Sequence, residues 1–170
     1  MNFLLIVKDD CCPALQGVLV VSDPAGVGLD IELKVEQPLD QPISAATISR
    51  LSGVGTLVSA GVATLTSLGS AALLASLVDG ATDQEVLAAP QNVSGSVAAI
   101  GPETSPAMSS ATGAPALSSI GLRYSFSIAA GAAPSSATLS SGFHMSSPDL
   151  NGDGFGDACD VPDEKCREVE

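Results

Sequence analysis

Several stretches of the chain alternate apolar and polar residues with the two-residue period of a β-strand. Leu29, Ile31, Leu33 and Val35 are interleaved with Asp30, Glu32, Lys34 and Glu36, which predicts a strand with one wet face. Leu122, Tyr124, Phe126 and Ile128 stand against Arg123, Ser125 and Ser127 in the same way. Beyond GAAPSS, the residues Ala137, Leu139, Ser141, Phe143 and Met145 share one face of a further strand. Gly17 to Val21 (GVLVV) is a short buried run, and SDPAG at 22–26 supplies turn chemistry after it. Pro38 and Pro42 are expected to end the strand begun at Leu29.

Residues 51–78 carry no charge over 28 positions, a length that could span a membrane as a helix. Twelve of the 28 are Gly, Ser or Thr, however, and four glycines weaken any helix. Val62, Thr64 and Thr66 alternating with Ala63, Leu65 and Ser67 fit a strand. Buried strands are therefore expected here rather than a membrane span, with Ser70 to Leu77 as the one stretch suited to a short helix. Asp79-Gly80 then provides a turn. From Ala88 to Ala116 the abundance of Pro, Ser, Gly and Ala predicts a long surface connection. Gly26-Val27-Gly28 and Gly53-Val54-Gly55 also read as turns.

Short strands separated by Gly/Pro turns, without a fixed-period repeat, predict an all-β fold: an antiparallel β-sandwich or jelly roll over residues 1–146, with a C-terminal calcium-binding tail at 147–170. The order of a buried VLVV strand, an amphipathic strand and later DG-bounded strands loosely resembles the cohesin-like sandwiches of bacterial surface proteins.

Charge sharpens this picture. The 170 residues hold 19 acids against 6 bases, a net charge of −13. Phosphate binding needs clustered Lys and Arg, so a nucleic-acid partner is excluded, and an anionic membrane surface is disfavoured. Between Leu51 and Pro148 the only charged side chains are Asp79, Asp83, Glu85, Glu103 and Arg123. An average soluble segment of that length would carry roughly 25. Such a surface must be covered or else stay exposed as a neutral Ser/Thr/Gly-rich exterior, and burial against copies of the same chain is the expectation that fits it best. Asn92-Val93-Ser94 is a formal glycosylation sequon and offers sugar as another cover.

The chemistry sits in the tail. In DLNGDGFGDACD, oxygen ligands fall at Asp149, Asn151, Asp153, the Phe155 carbonyl, Asp157 and Asp160, with Gly154 where the backbone must turn sharply. Calcium takes six to eight hard oxygens at variable distance, and short acids alternating along a curled backbone supply them. The last ligand is Asp rather than the longer Glu, and Ser146-Ser147-Pro148 leads in without a helix, so the loop is not a helix–loop–helix sensor. It resembles a thrombospondin type 3 repeat, approximately DxDxDGxGDxCD, over 12 to 18 residues. That resemblance implies an extracellular, structural calcium site with a disulfide cysteine at Cys159. Dockerins share a similar loop but carry two copies on helices, and here there is one.

The four cysteines, Cys11, Cys12, Cys159 and Cys166, lie near the two ends of the chain, and an even number beside a calcium loop favours disulfides in an oxidising compartment. Cys159 with Cys166 would close a local ring, whereas pairing Cys11 and Cys12 with them would staple the ends, within one subunit or between two. The apolar run Phe3 to Val7 has five residues and no basic region before it, too little for a signal-peptide core.

Catalysis is not expected. A general base near neutral pH is usually His, and His144 is the sole one, placed on the polar face of its strand. Asp30, Glu32 and Glu36 read as the wet face of a strand rather than a paired-carboxylate site. No GxSxG, HExxH, P-loop or GxGxxG stands in the chain. The expectation is a secreted, calcium-binding structural protein, extracellular or on a bacterial surface, that assembles with itself into a filament, tube or surface layer. A calcium-dependent adhesion or carbohydrate-binding module is the alternative, weakened by the few aromatics available to stack on sugar.

Overall fold

The computed structural model describes residues 1–8, 13–43, 48–69, 72–94, 97–109, 116–129 and 134–146. Among them the chain forms strands β1 (Asn2–Lys8), β2 (Ala14–Asp23), β3 (Leu29–Ile43), β4 (Ile48–Ser59), β5 (Val62–Ser67) and β6 (Ala72–Val78). The remainder are β7 (Ala81–Ala88), β8 (Gln91–Ser94), β9 (Val97–Thr104), β10 (Met108–Ser109), β11 (Leu117–Ile128) and β12 (Ser135–Ser146). No described residue is helical. Every ladder is antiparallel, so the all-β, antiparallel expectation holds.

Two six-stranded sheets result. The first runs β1-β2-β12-β4, with β9 and β10 lying end to end along the far side of β4. In the second, β11 is central: β3 flanks one side, while β5 and β6 lie end to end along the other. Beyond them β8 pairs with β5 and β7 with β6. The chain passes repeatedly from one sheet to the other, and tight links make this feasible. Between β2 and β3, the buried Asp23 carboxylate accepts the backbone N–H groups of Gly26 at 2.9 Å and Gly28 at 2.9 Å, closing the turn expected there.

The two inner faces share one core. Leu15, Leu19, Leu51, Leu57, Leu139 and Phe143 come from the first sheet, facing Leu65, Leu74, Leu122, Tyr124 and Phe126 from the second, all of them essentially inaccessible. Burying a leucine or phenylalanine contributes roughly 1.5–3 kcal/mol, so this double layer dominates the stability. The alternations predicted for β11 and β12 place Leu122, Tyr124, Phe126, Leu139 and Phe143, and that of β3 packs Leu29, Ile31 and Leu33 against them, partly buried.

Four expectations are corrected. Gly53-Val54-Gly55 is no turn but the middle of β4: a side chain at Gly53 would press on Leu74 and Leu87 of the other sheet at 3.0 Å, so the core demands glycine there. Residues 97–104 form β9 against β4 instead of a loop, because an edge row tolerates Gly101 and Pro102 as a register shift. The strand from Leu29 continues through Pro38 and Pro42 to Ile43, since among the described residues β3 pairs with β11 alone and an edge strand needs no donor on its outer side. The stretch suited to a helix is instead β6 over Ala72–Val78, buried between β11 and β7. Asp79-Gly80 does make the β6–β7 turn, with φ of 46° and 77°, the left-handed pair that a two-residue hairpin requires. Desolvation pushes the Asp79 carboxyl up, but bonds from Ser118 N–H, the Ser118 hydroxyl and Ser119 N–H outweigh it and hold it below its ordinary value.

Tyr124 joins the sheets. Its hydroxyl lies 2.5 Å from Ser141 Oγ across the core, and the Phe3 ring of β1 covers it edge-on at 5.8 Å. Burial pushes the phenol up to about 12, against the help that Ser141 gives its ionised form. An unfolded tyrosine ionises near 10, so the neutral phenol stabilises the fold fully below about pH 10, and this contribution is lost as pH rises toward 12; it amounts to about 3 kcal/mol. As the only tyrosine, Tyr124 reports alone in ultraviolet absorbance. Its phenolate signal should appear together with alkaline unfolding, whereas ionisation of the folded chain near pH 10 would show the ring to be accessible.

Candidate functional site

The ligand residues read from the sequence, Asp149, Asn151, Asp153, Phe155, Asp157 and Asp160, lie outside the described residues, as do Cys11, Cys12, Cys159 and Cys166. The structure does establish where the segments bearing them leave the body. Met145 N–H donates to Pro13 O at 3.0 Å, and His144 pairs with Ala14. The segment ending at Cys12 and the one beginning after Ser146 therefore depart from neighbouring strands at one end of the first sheet. Among the described residues no three His, Cys, Asp or Glu side chains are grouped to hold a metal ion.

The described residues show a second feature, the outer face of the first sheet. Register places Leu4, Val18, Ser140 and Val54 in one row across β1, β2, β12 and β4. The next row toward one end is Asn2, Val20, Thr138, Thr56 and Ala99, and after it come Ser22, Ser136, Val58 and Val97. Toward the other end stand Ile6, Gln16, Gly142, Ser52 and Thr104. No residue in these rows is charged. Leu4 is 59 % exposed, Ile6 54 %, Val54 44 % and Val97 61 %, so the apolar positions face outward rather than folding into the core. The face ends in a row that holds two cations, Lys8 and Arg50, with Ala14 and His144 between them; Lys8, His144 and Arg50 are exposed. That row lies where the acidic tail departs.

The outer face of the second sheet is the opposite. Asp30, Glu32, Lys34 and Glu36 project from β3, with Arg123 on β11 pairing Glu85 on β7 at 3.5 Å. Lys34 meets Glu36 at 3.0 Å. The acids of β3 thus form a solvated face, as their alternation predicted, and His144 is exposed as expected. Exposed ion pairs of this kind contribute little stability, and their effect is to keep this face wet. The single sequon places Asn92 on β8, where its side-chain carbonyl accepts the Thr64 hydroxyl at 2.7 Å.

One side of the molecule is stitched shut by polar side chains. Gln84 of β7 donates to Ser49 O at 3.0 Å and bonds Ser105, whose hydroxyl accepts Leu51 N–H at 2.9 Å. Ser49 donates to Asp83 at 2.9 Å, and Leu87 N–H donates to Glu103 at 2.7 Å. These bonds tie β4 and the β9/β10 row to β7, so that Glu103 is turned toward the other sheet and away from the uncharged face. Residues 51–78, the stretch long enough for a membrane helix, are divided among β4, β5 and β6, and no described helix is long and apolar enough to cross a membrane.

Spacing along the sequence carries no sign of the face, because Leu4, Val18, Ser140 and Val54 are brought together only by register. The charge-poor composition was its one signal. No family model matches the chain, and no curated protein or solved structure matches it either.

Proposed function

We propose that the chain is a structural subunit of an extracellular, bacterial assembly, which packs against copies of itself and whose C-terminal tail folds around calcium. The observation that carries this reading is the uncharged outer face of the first sheet in a chain of net charge −13. A broad neutral surface of Val, Leu, Ser and Thr on so acidic a protein suits contact with another neutral surface. The donor set of the tail supports the calcium part. Asp149, Asn151, Asp153, Asp157 and Asp160 offer only hard oxygens, joined by the Phe155 carbonyl, and these fit calcium better than smaller, strictly octahedral magnesium. Bound calcium would neutralise part of a tail that holds eight acids from Asp149 onward against Lys165 and Arg167. The common departure point of the two cysteine-bearing segments supports a disulfide between them, in keeping with an oxidising compartment.

Electron microscopy of the purified chain in calcium and then in EGTA tests the proposal. Regular polymers in calcium are expected; dispersed monomers under both conditions would overturn it in favour of an adhesion module. Chelation should also hasten proteolysis within 149–170, and equal resistance in calcium and EGTA would refute the calcium-bound tail.

A further inference from the structure

Sheet edges carry unpaired backbone donors and acceptors, and proteins that stay monomeric guard them with prolines, bulges or charges. Three of the edges here are guarded. The β9/β10 row contains Gly101 and Pro102, shifts register against β4, and is bonded to the other sheet through Glu103 and, in the link that follows β9, Ser105. The β7/β8 row is interrupted at Pro90 and shifts register between Ser76 and Leu77. The β3 edge carries Pro38, Pro42 and the acids Asp30, Glu32 and Glu36. β1 differs. It pairs with β2 over all seven residues without a register shift, holds neither Pro nor Gly, and has one charge, Lys8, at its last position. Among the described residues it pairs with no strand but β2.

We infer that β1 pairs antiparallel with β1 of a second copy, about a two-fold axis at Leu5, joining two first sheets into one continuous sheet. This rests on the self-association proposed above and names the junction that begins it. The strand is self-complementary in that register. Leu4 stands opposite Ile6 of the partner subunit, Phe3 opposite Val7 of the partner subunit, and Asn2 opposite Lys8 of the partner subunit, so no like charges meet. Leu4 and Ile6 of both copies then form one apolar cluster, continued on either side by Val18 and, beyond Ser140, by Val54 in the same uncharged row. Main-chain bonds give the affinity and the side-chain rows fix the register, as in strand addition generally. A two-fold junction uses β1 once per copy and closes on itself, so growth beyond a dimer falls to a second contact, the uncharged face. The acidic tail is the poorer occupant of this edge, being rich in Asp and Gly and without an alternating apolar run.

Sedimentation velocity on the full chain tests this with two variants, Leu4→Lys/Ile6→Lys and Leu4→Lys/Ile6→Glu. Both positions are more than half exposed, so each variant should keep the native thermal midpoint. The first sets lysines against lysines across the junction and should weaken association roughly 100-fold. The second sets lysine at 4 against glutamate at 6 of the partner and should recover most of the loss. Rescue belongs to antiparallel pairing about Leu5 alone; a Lys/Glu variant as monomeric as Lys/Lys overturns that register. If Lys/Lys assembles like the native chain, the β1 junction is wrong while self-association stands. A native chain that sediments as a monomer with and without calcium overturns both. If proteolysis of 149–170 quickens in the variants while the native mass is monomeric, the tail covers β1 and the inference fails.

Discussion

Gly17→Val should lower the free energy of unfolding by about 4 kcal/mol, enough to leave a domain of ordinary stability partly unfolded. Gly17 lies on the inner face of β2, where a Cβ would meet the Tyr124 hydroxyl, with Ser141 Oγ at 3.0 Å and Leu122 at 3.2 Å. Two penalties combine. Methyl groups are forced into a packed core, and the Tyr124–Ser141 bond at 2.5 Å must lengthen or break, leaving polar groups short of a partner. The smaller change Gly17→Ala should destabilise by about 2 kcal/mol. Adding Tyr124→Phe removes the oxygen that the new methyl meets, so Gly17→Ala/Tyr124→Phe should be more stable than the sum of the single effects by about 1 kcal/mol. Urea unfolding of the four proteins measures this. Strict additivity would mean that the strain lies elsewhere, and a native-like Gly17→Val would mean that the sheets have room to part.

Gln84→Ala is the second large effect, about 3 kcal/mol. Gln84 is buried at the side where the sheets are stitched, donating to Ser49 O and Ser49 Oγ at 3.0 and 3.1 Å while its carbonyl oxygen faces Ser105. Truncation leaves the buried Ser49 carbonyl and the Ser105 hydroxyl short of partners, and no apolar contact replaces them. Ser105 also holds Leu51 through both its hydroxyl and its own N–H, so the loss should spread into β4. Hydrogen exchange should show faster opening of β4, β7 and β9, with β2 and β12 little changed. Uniform acceleration across both sheets would instead mark Gln84 as a global determinant of stability.

Where one strand face is wet and the other buried, residues alone revealed the fold. β3, β11 and β12 follow their alternation, and Asp79-Gly80 announced its hairpin as one of the few residue pairs that favour two left-handed residues in succession. The failures have physical reasons too. β1 is apolar on both faces, because its outward Leu4 and Ile6 are uncovered in a single copy, so no alternation marks it. Gly53 and Gly55 looked like turn residues because glycine serves two needs, and here close approach was the one in force, by Leu74 and Leu87 of the other sheet at Gly53 and by Thr138 and Leu139 of β12 at Gly55. Pro38, Pro42 and Pro102 were read as interruptions, although edge position decides whether a missing donor matters, and edges are invisible before topology. The calcium reading of the tail rests on spacing within twelve residues, 149–160, which lie outside the described residues. The neutral face was not legible, because its rows draw on strands more than a hundred residues apart.

The place of β12 has a consequence for timing. It lies between β2 and β4, and β11 lies likewise at the centre of the second sheet, yet both come last among the described strands. While the chain emerges, β2 and β4 have no partner between them, and β3 has none at all. Non-local closure of this kind is slow, and neither layer can close until β11 and β12 have been made. For the exported subunit proposed above, this order would keep the chain threadable until β11 and β12 have been made. Under the proposed self-association, joining of neighbouring copies would wait for the same two strands, which would separate passage from assembly.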